Sequence, residues 1–168
     1  ITERQINMRN IGKKIVSAFL TVLMLSACAV QAGAVSVKEI TAPSAILVEA
    51  ETGKTLFEKD CHSVRACASI TKVMTMLLVM EAIEDGKISM KDNITASAHA
   101  ASMGGSDIWL EEGEVMSVHD LIKATVVASA NDAAVALAEE VAGSEDAFVE
   151  KMNEKAKSLG MKETTFKN

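Results

Sequence analysis

The sequence predicts an α+β fold in which one β-hairpin precedes a cluster of helices. Two observations carry this. Between residues 44 and 60, two apolar runs flank a turn that contains glycine. From Ser69 onward, apolar residues recur at helical spacing between helix start and stop signals. With 49% hydrophobic and 24% charged residues, the chain has ordinary globular proportions, so these elements can share a core.

In chain order, Ala45-Ile46-Leu47-Val48-Glu49-Ala50 forms the first strand. Glu51-Thr52-Gly53-Lys54 supplies the turn, with Gly53 free to take a positive φ. Thr55-Leu56-Phe57-Glu58 begins the return strand, and Cys61 to Ala68 delivers the chain to Ser69. Ser69 to Glu84 is the strongest helix signal, with Val73, Met76, Leu77, Met80 and Ile83 on one face. Leu78 and Val79 widen that face, so this helix is expected to be buried on most sides, ending at Gly86. Ile94 to Ser97 reads as a short strand or loop. Met103-Gly104-Gly105-Ser106 reads as a flexible stretch anchored by Ile108-Trp109-Leu110, and Glu111 to Glu114 as a turn. Ser117 with Asp120 matches a capping box opening a helix to about Ala128. Asn131 is the expected N-cap of a helix over Asp132 to Val141, closed at Gly143. Ser144 caps another that runs to about Ser158, with Gly160 as its terminator, and Thr164 to Asn168 reads as extended.

The N-terminus reads as an export signal. Arg9, Lys13 and Lys14 precede the uncharged apolar run Ile15 to Ala27, and small residues follow through Ala34. Met8 reads as the start, which makes 1–7 upstream residues outside the native protein, 8–34 the signal peptide and 35–168 the folded part. The apolar run is short for a membrane span. Leu25-Ser26-Ala27-Cys28 also resembles a lipoprotein signal, second to plain cleavage near Ala32 or Ala34. The chain carries a net charge of -6. Residues 1–34 hold Arg4, Arg9, Lys13 and Lys14 against Glu3, a balance of +3, so the remainder carries -9. Such an acidic chain is a poor partner for nucleic acid. Cys61 and Cys67 can be free thiols, or a disulfide if a turn brings them close enough. His62, His99 and His119 lack metal-ligand spacing and read as surface or capping residues, so no metal site is expected.

Ser69 and Lys72, three apart at a helix start, share a face. A serine hydroxyl needs a base to act as nucleophile, and a lysine serves if desolvation lowers its pKa. The backbone N–H of Ser69, in a first turn, is free to face an oxyanion. Alone the Ser-x-x-Lys spacing is equally that of an N-cap serine with a solvated lysine. Ser129-Ala130-Asn131, between two predicted helices, adds a second element; together the two match the first two of three motifs in penicillin-recognising serine enzymes.

The stretch Ser44 to Asn168 resembles the N-terminal part of the serine-type D-alanyl-D-alanine carboxypeptidases, the low-molecular-weight penicillin-binding proteins, with sporulation-associated Gram-positive members most alike. The runs that carry this are 45–54, Ala68-Ser69-Ile70-Thr71-Lys72-Val73-Met74-Thr75, Ala101 to Ser106, Ala128-Ser129-Ala130-Asn131-Asp132-Ala133 and Leu159 to Asn168. Cys67 stands where the family usually has proline, and Ala130 where glycine is common. The family's Lys-Thr-Gly motif, which contacts the substrate carboxylate, does not occur before Asn168, so the chain is expected to be truncated ahead of it.

The resemblance implies the β-lactamase/penicillin-binding-protein-like transpeptidase fold, represented by its hairpin and helical cluster and therefore incomplete. It implies Ser69 as nucleophile, Lys72 as base, Ser129 as proton relay and Asn131 as the residue that orients the substrate, with no cofactor. The implied substrate is a peptidoglycan pentapeptide ending in D-Ala-D-Ala, with β-lactams as inhibitors. The implied setting is the cell envelope outside the cytoplasm, with membrane attachment through a C-terminal anchor beyond this chain. A class A β-lactamase shares the first motif, but Ala130 replaces the aspartate of its second. An inactive wall-peptide-binding fragment is the other competing expectation, and the isolated chain is expected to show little peptidase activity.

Overall fold

A computed structural model describes residues 40–168. The upstream residues 1–7, the export signal over 8–34 and Cys28 lie outside the described residues. The chain divides into two compact units, one reaching to Val64 and the other spanning Arg65–Asn168.

In the first unit, β1 (Ala45–Val48) pairs antiparallel with β2 (Thr55–Lys59), and the register shifts between Leu47 and Val48. The predicted turn closes through Gly53 N–H to the Glu49 carbonyl at 2.9 Å, with Gly53 at φ 71°. The Glu49 carboxylate accepts from the Thr52 hydroxyl and from the Glu51 and Thr52 amides, which holds its pKa below the usual value.

The second unit opens with a 3-10 turn, Ala68–Thr71, which leads into α1 (Lys72–Glu84). The predicted helix is thus split at its start. Its buried face also differs from the predicted one. Met74, Thr75, Leu78, Val79 and Ala82 point inward, whereas Val73 is 69% exposed and Met80 46%. A helix that is apolar on nearly every side gives periodicity no face to select, and its packing partners decide instead.

β3 (Asn93–Thr95) pairs antiparallel with β4 (Val115–Ser117), a strand the sequence reading missed because only three residues pair. Between them lies α2 (Ala98–Ala101), also unforeseen, capped by Ser97. α3 (Val118–Val127) starts at the predicted capping box, where the Asp120 N–H donates to Ser117 Oγ and the Ser117 hydroxyl donates to the Asp120 carboxylate. α4 (Asn131–Ala142) closes at Gly143, whose φ of 86° suits glycine. α5 (Glu145–Ser158) is capped by Ser144 as expected. After it, Phe166 is tied back by two backbone bonds to the Asn153 side chain, so the tail is irregular but anchored.

α4 is the hub of this unit and packs against α1, α2, α3, α5 and β3. Ala133, Ala136 and Ala138 let neighbours approach closely, and Leu137, Leu121, Val79, Val118, Phe148 and Met152 fill the space between. Lys155 on α5 forms a 2.8 Å ion pair with Glu81 on α1. No helix among the described residues is long and apolar enough to cross a membrane.

Candidate active site

Ser69 sits in the 3-10 turn and Lys72 is the first residue of α1. In 3-10 geometry residues three apart eclipse one another. That places Lys72 Nζ 3.3 Å from Ser69 Oγ, to which it donates. Ala68, immediately before the serine, is held at φ 46°, an uncommon conformation for a residue with a Cβ. The Ser69 N–H donates to no backbone acceptor among the described residues.

The second strand of the site comes from the start of α4. Ser129 is at φ 57° and breaks the chain sharply between α3 and α4; Ala130, fully buried, is the N-cap. Asn131 was expected to cap this helix through its side chain. It is instead the first helical residue, and its side chain turns to other work. Asn131 Oδ1 accepts from Lys72 Nζ at 2.6 Å, and its Nδ2 donates to the Gly104 carbonyl at 2.7 Å. Ser69, Lys72 and Asn131 therefore form one hydrogen-bonded group. Ser129 joins it along the chain, two residues before Asn131, without a side-chain hydrogen bond to it among the described residues. Partial burial depresses the Lys72 pKa below its ordinary 10.5.

Two contributors escaped the sequence reading. Met103 to Ser106, expected to be flexible, is pinned to α4, as is the 108–110 segment expected to anchor it. The Asn131 N–H donates to the Ser106 carbonyl at 2.7 Å. Asp132, 1% exposed, accepts from the Ile108 N–H at 3.1 Å and the Leu110 N–H at 3.0 Å. A carboxylate set against the apolar run Ala133 to Ala138 was the available signal. Gly105 is the other contributor. Its φ is 92°, and a Cβ there would meet Asn131 Nδ2 at 3.0 Å. The expected apolar anchor also divides: Leu110 is buried, whereas Trp109 is 83% exposed.

Cys61 and Cys67 are free thiols, and Cys67 Sγ lies 3.8 Å from Thr71 Oγ1. The three histidines are exposed. His99 bonds Glu145 at 2.7 Å and His119 bonds Asp120 at 3.1 Å. In the hairpin unit, Glu58, Cys61 and His62 bring one ligand atom each within 4.8 Å of one another, a grouping of metal-ligand type that the absence of helical spacing concealed.

The family profile described as D-alanyl-D-alanine carboxypeptidase matches residues 30–168. The chain is 57% identical over 127 residues to D-alanyl-D-alanine carboxypeptidase DacF of Bacillus subtilis, covering 76% of this chain and 33% of that protein. Among solved structures it resembles D-alanyl-D-alanine carboxypeptidase DacD from Francisella tularensis, with a TM-score of 0.74 and 40% identity, over 77% of this chain and 32% of that one. It also resembles penicillin-binding protein D2 from Listeria monocytogenes in its ampicillin-bound form, with a TM-score of 0.66 and 32% identity, over 74% of this chain and 50% of that one. The chain spans about a third of the length of the DacF protein it matches.

Proposed function

Because the chain belongs to the D-alanyl-D-alanine carboxypeptidase family, we propose that it carries the nucleophile half of a serine carboxypeptidase site that removes the terminal D-alanine from peptidoglycan stem peptides. One observation carries the reading: Lys72 Nζ stands between Ser69 Oγ and Asn131 Oδ1.

In this reading the neutral Lys72 amine takes the Ser69 proton as Oγ attacks the carbonyl carbon of the penultimate D-alanine. The Ser69 N–H faces the oxyanion. The C–N bond breaks, and the departing D-alanine amine receives a proton through Ser129. Water then hydrolyses the ester and restores Ser69. Asn131, fixed by the Gly104 carbonyl and by Lys72, orients the peptide through its amide. The likeness to the ampicillin-bound protein supports acylation of Ser69 by β-lactams, which offer a carbonyl in the same place. The basic and apolar N-terminus supports export of a protein cleaved within 8–34 and a folded part over 35–168 that works in the cell envelope.

The test is labelling of the protein by a fluorescent penicillin, with Ser69→Ala as the control. Labelling of the protein and none of the variant supports the reading. Rapid penicillin turnover with no D-alanine release would replace it with a β-lactamase.

A further inference from the structure

Trp109 combines three features that do not ordinarily meet in one residue. It is 83% exposed, although tryptophan is the largest apolar side chain in the chain. Its φ is 57°, a left-handed conformation that a bulky side chain rarely adopts. Its two neighbours are both held by one buried carboxylate, since the Ile108 and Leu110 amides donate to Asp132. The clamp thus forces the backbone to turn at residue 109 and puts the indole outside the core. Local strain of this kind persists where surrounding structure over-determines it, and it clusters at ligand-contacting positions. The loop is also attached to the site itself, through the Ser106 and Gly104 carbonyls bonded to Asn131.

We infer that Trp109 is a substrate-contacting residue, held out by Asp132 as a flat apolar platform for the stem of the peptide that precedes the D-Ala-D-Ala terminus. Asp132 is the positioning residue that acts through it. This rests on the proposed carboxypeptidase reading, because the loop that carries Trp109 is bonded to Asn131, the residue that orients the peptide in that reading. An indole buries much apolar area at low entropic cost, which suits an extended chain with few polar anchors.

Trp109 is the single tryptophan of the chain, so its own emission reports the contact. The Ser69→Ala protein, which does not turn over, is titrated with a D-Ala-D-Ala pentapeptide while binding is followed separately by equilibrium dialysis. Binding with a blue shift of tryptophan emission is expected. Binding without a shift, or no binding, overturns the inference; penicillin labelling of Ser69 in the unmodified protein shows whether the serine-enzyme reading falls with it. In the same Ser69→Ala background, Trp109→Ala weakens pentapeptide binding about ten-fold relative to an N-acylated dipeptide, and Trp109→Phe restores most of the difference. Asp132→Asn lowers the same pentapeptide preference. Trp109→Gly, free of the strain, keeps or raises the thermal midpoint while losing the preference. A fall in thermal midpoint with the preference intact would mean the residue is structural.

Discussion

Lys72 Nζ lies 2.6 Å from Asn131 Oδ1 and 3.3 Å from Ser69 Oγ, so the amine is held more closely by the amide than by the hydroxyl it would deprotonate. The amide fixes the amine's position without supplying a charge. Asn131→Asp replaces it with a carboxylate, which favours the ammonium and raises the Lys72 pKa. The pH profile of penicillin acylation shifts to higher pH in that variant, and acylation at neutral pH falls about ten-fold or more. An unchanged profile would separate Asn131 from the base.

Lys72 itself sets the second expectation. Its folded pKa lies below 10.5 because burial penalises the ammonium. The unfolded chain therefore binds more protons than the folded one between the folded pKa and 10.5, and stability rises with pH across that window. Acylation rises with the neutral fraction and has its midpoint below 10.5 in the acylation-rate profile. Lys72→Ala removes both dependences, which urea unfolding and acylation kinetics at several pH values would check.

Gly105→Ala tests the loop. The new Cβ meets Asn131 Nδ2 at 3.0 Å and sits at φ 92°. Loss of about 1 kcal/mol or more of stability is expected from the backbone alone, together with slower acylation as Asn131 is displaced. Slower acylation without displacement of the amide resonances of Asn131 in NMR would contradict the coupling.

His99 and Glu145 give a check outside the group of Ser69, Lys72 and Asn131. The 2.7 Å bond to Glu145 raises the His99 pKa above 6.5. The raised group contributes stability that is complete below 6.5 and is lost as pH rises through the folded pKa. NMR titration should show the raised value and its return toward 6.5 in Glu145→Gln.

Phe148→Ala tests the hub. Phe148 is 2% exposed in the core beneath α4, and its truncation costs about 3–5 kcal/mol in chemical unfolding.

Several features were legible in the sequence because they depend on local chemistry. The turn at Gly53, the caps at Ser117 and Ser144 and the stop at Gly143 all rest on groups within a few residues of each other. The pairing of Ser69 with Lys72 was legible for the same reason. The hydrogen-bond partners of the Asn131 side chain were not, because Lys72 and Gly104 are distant in sequence. The inner face of α1 was misread because apolar residues surround the helix. Hydrophobicity alone reads Trp109 as an anchor and says nothing of a backbone turned by a buried carboxylate.

The identity of the acylated residue tests the role of Ser69 most directly. Mass spectrometry of proteolytic fragments after exposure to penicillin is predicted to place the penicilloyl adduct on Ser69 in the protein and nowhere in Ser69→Ala. An adduct on another residue, or labelling that survives the substitution, would contradict it.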